Sequence, residues 1–173
     1  HHPPMDLLIE YVAGALPVAQ SACVAAHLSY CQQCRQLVER LEDVGGAHLE
    51  RLDPQPVGES VLESVMARLG DPQPLRYAPN EASDTQLPGL LDRLINGDYA
   101  DLLWKRVTQS LSISYLKTGD PNHEFALYRI AEGGRIPEHT HGGSEMTLVL
   151  RGGFADESGE YHPGDFLVRE GWD

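Results

Sequence analysis

Residues 133–152 read Gly-Gly-Arg-Ile-Pro-Glu-His-Thr-His-Gly-Gly-Ser-Glu-Met-Thr-Leu-Val-Leu-Arg-Gly. Between Gly133 and Gly152 stand His139, His141 and Glu145, and the intervals five, one, three and six make a composite pattern far more specific than any pair within it. On an extended strand, residues two apart share a face, so both imidazoles point to one side; Gly142-Gly143 then turns the chain and brings Glu145 toward the same point. Gly133-Gly134 and Gly152 supply tight corners where a side chain would resist the turn. Two imidazoles and a carboxylate suit Zn²⁺, Fe²⁺, Mn²⁺ or Ni²⁺, so the spacing names a site without naming its ion. The bland alternative is a pair of surface histidines beside a turn.

Outward from this stretch, Leu111–Leu116, Phe125–Ile130, Met146–Leu150 and Phe166–Val168 are short β-type runs between glycine and proline turns, a rhythm that predicts a sandwich or small barrel. Upstream the pattern turns helical. Leu87–Leu94 predicts one short helix, and residues 76–85 are loop-like in composition. The chain therefore divides near residue 85, with an α domain over 1–85 and an all-β domain over 86–173.

In the first seventy residues, Leu7, Leu8, Tyr11 and Val12, then Val18 to Leu28, then Leu37, Leu41 and Val44 carry helical spacing. Gly14 and Pro17 punctuate the first break and Ser29-Tyr30 the second, while Gly45-Gly46 is expected to end the third helix. The tetrapeptide Asp53-Pro54-Gln55-Pro56 recurs as Asp71-Pro72-Gln73-Pro74 around a segment from Glu59 to Leu69. That segment places Val61, Leu62, Val65, Met66 and Leu69 on one helical stripe. So short a helix is marginal in water with its apolar face bare. The stripe must dock on its own protein or on a partner, and both readings stand.

His27-x-x-x-Cys31-x-x-Cys34 sets a histidine one helical turn ahead of a Cys-x-x-Cys that straddles a helix junction. One imidazole and two thiolates suit Zn²⁺, which takes four ligands when its role is structural. Cys23 lies one turn earlier, but with the helix running straight it would stand about 16 Å from Cys34. His1 and His2, on another segment, are the easier source of the fourth ligand. A small helical domain has little core of its own, so a metal staple is physically sensible. A redox Cys-x-x-Cys usually follows a strand in a βαβ setting, which this region lacks, and an incidental pair is the remaining alternative.

These residues carry a resemblance. The His-x3-Cys-x2-Cys after two short helices, with an amphipathic helix and a detached one following, resembles the zinc-binding anti-sigma domain that inhibits extracytoplasmic-function sigma factors. The Gly133–Gly152 pattern resembles the first cupin motif, and the two together resemble the ChrR family over essentially all 173 residues. The resemblance implies that His2, His27, Cys31 and Cys34 hold zinc and that His139, His141 and Glu145 are the visible part of a cupin site with a second divalent metal, Zn²⁺ foremost. It implies a group IV sigma factor as partner, held away from RNA polymerase, and singlet oxygen or organic peroxide as the stimulus. The second cupin motif opens at Pro163-Gly164-Asp165 and is expected to deliver its histidine beyond Asp173, leaving the cupin β-barrel incomplete at that end of this chain.

Charge narrows the function classes. Acidic residues outnumber basic ones 26 to 13, a net charge of −13, which opposes sequence-independent binding to nucleic acid or an anionic membrane and favours a basic protein partner. Residues 1–85 hold twelve acidic and five basic side chains. Arg35, Arg40 and Arg51 are the only cations before residue 56, too few for a phosphate footprint. No apolar run is long enough for a transmembrane helix, and three cysteines make no disulfide scaffold. The expectation is a cytoplasmic, non-enzymatic anti-sigma factor that covers sigma with its helical faces, Val61 to Leu69 included, and senses oxidants through its cupin domain. The contrasting reading is a cupin metal-dependent enzyme, dioxygenase-like, with an appended zinc module. Tyr115, Tyr128 and Glu138 are its candidate cavity groups, but no second acid or base is evident.

Overall fold

The computed structural model describes residues 1–70, 87–95, 99–134 and 143–169. Helix α1 (Met5–Val12) starts after Pro4, a residue at home where the first N–H groups have no helical partner, and buries Leu7 and Leu8. Gly14, at φ 68, makes the left-handed turn that lets Pro17 open α2 (Val18–Tyr30). The buried positions of α2 include Ala19, Ala22 and Ala26 as well as Cys23, Val24 and His27, so neighbouring elements approach its backbone closely. The break falls at Cys31, which is both the last cap of α2 and the first of α3 (Gln32–Leu49).

Helix α3 corrects one expectation. It runs through Gly45-Gly46 to Leu49, and neither glycine takes a positive φ. A glycine inside a helix costs only about 0.5–1 kcal/mol and is a stop signal only where the chain turns left-handed. Helix α4 (Glu59–Arg68) matches the amphipathic segment, and Val61, Leu62, Val65, Met66 and Leu69 are all exposed. The second Asp-Pro-Gln-Pro repeat and the loop-like 76–85, with the expected domain boundary, lie outside the described residues. Helix α5 (Gly89–Ile95) answers to the short helix expected there.

The rest is antiparallel. Strands β1 (Lys105–Arg106), β2 (Leu111–Tyr115) and β3 (Ala126–Ile130) form one ladder, with Leu111 opposite Ile130 and Tyr115 opposite Ala126. Strand β4 (Glu145–Leu148) pairs with β7 (Phe166–Arg169), and β5 (Phe154–Asp156) with β6 (Gly159–Tyr161) forms a hairpin between them in sequence. Strands β1, β5 and β6 have no sequence signal because two or three residues are too few to show alternation.

Helix α2 packs on α1 and α3 and also on β4 and α5. The main core accordingly crosses between the helical and β parts. Phe166 of β7 is buried with Leu7, Leu8, Leu16, Cys23, Val24, Cys34 and Val38, and Phe125, Met146 and Leu148 pack against the same cluster. Successive residues of a strand face opposite ways, so Leu167 leaves that core for a second one with Val149 and Tyr161. Burying a phenylalanine fully is worth roughly 1.5–3 kcal/mol, and here the β part supplies that term to the helical part.

Candidate metal centre and exposed helix

Where α2 meets α3, the helical phase puts His27 one turn before the junction and Cys34 one turn after it, so both face inward. Cys31 sits on the junction itself, where its Sγ accepts the Cys34 N–H at 3.4 Å. Its sulfur therefore starts α3 and faces the same space as the Cys34 thiol. His2 arrives from the segment ahead of α1. Its Nδ1 stands 3.4 Å from Cys31 Sγ and 3.5 Å from Cys34 Sγ, and His27 Nε2 stands 3.4 Å from Cys34 Sγ.

The four ligand atoms of His2, His27, Cys31 and Cys34 lie within 4.8 Å of one another. Zn–N bonds of about 2.0–2.1 Å and Zn–S bonds of about 2.3 Å put tetrahedral ligands roughly 3.3–3.8 Å apart, a range in which the three His–Cys contacts of 3.4, 3.4 and 3.5 Å fall. The donor set and its geometry fit a closed site for a soft divalent ion, and it is His2 rather than His1 that completes it. Cys23 stays out. It is buried in the apolar core, and burial pushes its thiol up to about 12.

The electrostatics suit a cation. Burial and then the neighbouring Cys31 thiol push Cys34 up to about 11, since a lone thiolate there would lack both water and a counter-charge. Burial likewise draws His27 below its ordinary value, aided by His2 and opposed by a hydrogen bond to Gly164. A divalent ion held by His2, His27, Cys31 and Cys34 would reverse that balance and keep the two thiolates ionised. The Gly164 bond runs from His27 Nδ1–H to the carbonyl oxygen at 2.7 Å, which leaves Nε2 with its lone pair toward the cluster.

The second expected site is only partly visible. His139, His141 and Glu138 lie outside the described residues. Glu145 opens β4, half-buried. Tyr128 is raised by burial and then by Glu145, Tyr115 and Glu124, so one of the expected cavity groups, Tyr128, stands near that carboxylate. Residues that spacing could not flag are Gly164 and Phe166. The first belongs to a motif with a different meaning in the sequence, and no local pattern tells that its carbonyl meets a histidine 137 residues away.

A His/Cys cluster at a helix junction, an exposed amphipathic helix and antiparallel β ladders thus stand in one chain. The ChrR cupin-like domain family matches residues 93–172. Over 170 residues, 98% of this chain and 79% of the relative, the sequence is 36% identical to the anti-sigma-E factor ChrR of Cereibacter sphaeroides. The crystal structure of Rhodobacter sphaeroides SigE in complex with the anti-sigma ChrR matches with a TM-score of 0.84 at 34% identity, covering 98% of this chain and 86% of that one. The chain belongs to the ChrR family, in keeping with the resemblance its two motifs carry. No helix among the described residues is long and apolar enough to cross a membrane.

Proposed function

We propose that this protein is an anti-sigma factor that sequesters a group IV sigma factor. The observation that carries the reading is the likeness over 98% of the chain to an anti-sigma protein whose structure was determined with its sigma factor. The surface supports it. Along α4, Val61, Leu62, Val65, Met66 and Leu69 expose an apolar stripe with between 46% and 71% of each residue accessible, a face suited to laying into an apolar groove of a partner. The acidic excess of residues 1–85 favours approach to a basic surface.

In this reading zinc is the ion held by His2, His27, Cys31 and Cys34, and it staples the α2–α3 junction and the leading segment into the inhibitory shape. His139, His141 and Glu145 hold a second divalent metal in the cupin part, which acts as the sensor that releases sigma under singlet oxygen. The role is regulatory rather than catalytic, the setting is the cytoplasm where sigma factors act, and the working division is 1–85 for inhibition and 86–173 for sensing. The test is co-purification from the native host together with a sigma-dependent reporter. The chain should recover one group IV sigma factor and silence its promoter, with induction on photosensitised illumination. Recovery of no sigma factor and an unaffected reporter would sink the proposal.

A further inference from the structure

The helical His/Cys cluster is held from outside by two residues of the β part, Gly164 and Phe166. The Gly164 carbonyl takes the His27 Nδ1–H at 2.7 Å. The Phe166 N–H donates to the carbonyl of His1 at 3.2 Å, next to His2. The Phe166 ring meets the His27 imidazole edge-on, with centroids 5.7 Å apart at 75°. The His27 ring is thus oriented by Gly164 and Phe166, and the backbone leading into His2 is held by Phe166.

The turn itself is rigidly placed. Gly164 N–H donates to the Val149 carbonyl at 2.8 Å, Asp165 N–H to the His162 carbonyl at 2.9 Å, and Val149 N–H to the Asp165 carbonyl at 3.0 Å. The Tyr30 hydroxyl donates to the Leu150 carbonyl at 3.2 Å and ties the end of α2 to the same place. Gly164 has φ 95, and a Cβ added there would stand 2.9 Å from Tyr30 Cβ. Only glycine lets this peptide approach α2 closely enough for its oxygen to reach His27.

We propose that the Pro163–Phe166 turn is a positioning element of the helical metal centre, so that metal binding and docking of the β part on α2 are one linked equilibrium. A carbonyl on Nδ1 fixes the tautomer with Nε2 free for the ion, and the ring edge of Phe166 fixes the plane of the imidazole. Linkage is reciprocal: whatever docking adds to metal affinity, metal adds to docking. A change in the β part that moves this turn therefore reaches the metal cluster without an intermediary. The inference rests on the zinc reading above and goes beyond it.

The experiment titrates the full chain with zinc against a chromophoric chelator, comparing wild type with Gly164→Ala, Phe166→Leu, Cys34→Ser and Leu111→Ala. Gly164→Ala and Phe166→Leu should each weaken zinc binding about 10–100-fold, the usual loss when a partner of a ligating histidine is removed. Leu111→Ala, which loosens the β2–β3 ladder away from the turn, should keep wild-type affinity. Wild-type affinity in Gly164→Ala and Phe166→Leu, with binding lost in Cys34→Ser, would overturn the linkage and leave the zinc reading intact. A wild-type chain that binds no zinc would overturn both. Hydrogen exchange on the unmutated chain decides the matter if a variant does not fold. Stripping the metal should speed exchange at the Gly164 and Phe166 amides, and unchanged exchange there overturns the proposal.

Discussion

Cys31 shows how much one atom can do. The same Sγ accepts the Cys34 N–H that begins α3 and stands 3.4 Å from His2 Nδ1. Serine at 31 keeps a capping oxygen but loses a thiolate, so Cys31→Ser should preserve the helix start and abolish metal binding, whereas Cys34→Ser also leaves a hydroxyl in a site that is 3% exposed. Both variants are expected to hold no stoichiometric zinc by elemental analysis and to fail to retain sigma in a pull-down. Asp156 makes a different residue-scale prediction. Burial raises its carboxyl, but the Ser158 N–H, Arg169 and the Tyr161 hydroxyl more than offset that and hold it below the ordinary value. A depressed carboxyl contributes stability above its unfolded pKa and loses it as pH falls through the lower folded one. Amide exchange in the β5–β6 hairpin should therefore accelerate as pH drops below about 3.8, relative to the intrinsic rate, and Asp156→Asn should remove that extra pH dependence.

Among the elements, α3 and α4 are the two in which local propensity and surroundings pull apart. Gly45 and Gly46 are exposed inside α3, and a Cβ built on either meets nothing within 4 Å. Each alanine there should stabilise the protein by about 0.5–1 kcal/mol through helix propensity alone, measured as a rise in denaturant midpoint with unchanged slope. A fall would mean that the folded protein uses the backbone freedom of the glycines. For α4, every described side chain is exposed and its stripe has no cover among the described residues. Val65→Asp should weaken sigma binding by about tenfold or more, the loss typical of a truncated central contact, with zinc content unchanged. Wild-type affinity in that variant would assign the stripe to another role.

At the scale of the molecule, the decisive feature is a core that both parts share. Phe166 is 2% exposed among the side chains of α1, α2 and α3, and Met146 and Leu148 pack on the same cluster. Phe166→Ala should cost about 3–5 kcal/mol, the usual range for a buried phenylalanine, and should lower the helical signal and the tyrosine and tryptophan fluorescence of the β part together. In the wild type the two probes should report one coincident unfolding transition. Separate midpoints would show that the parts fold independently and that their contact is marginal. The shared core also bears on the isolated fragment 1–85. Without β7, the pocket around Leu8 and Val24 faces water, so that fragment should melt below the full chain even with its metal bound.

What the sequence determined by itself is whatever depends on spacing along the chain. The three helices of the first fifty residues, the amphipathic α4, four of the seven strands among the described residues and the cluster His27, Cys31 and Cys34 follow from periodicity and from where glycine, proline and cysteine stand. The end of α3 does not follow, because a glycine's stop signal depends on the φ it adopts, which neighbours decide. Strands β1, β5 and β6 leave no trace in the sequence because their hydrogen bonds come from partners placed beside them by the fold, not from a pattern of their own. Spacing alone left His1 and His2 level and only the resemblance named His2; the docked leading segment, its His1 carbonyl bonded by Phe166 N–H, brings His2 Nδ1 to the cysteines. Only the tertiary structure could bring the Gly164 carbonyl to His27 across 137 residues, since that contact is set by how β7 and its preceding turn pack on α2.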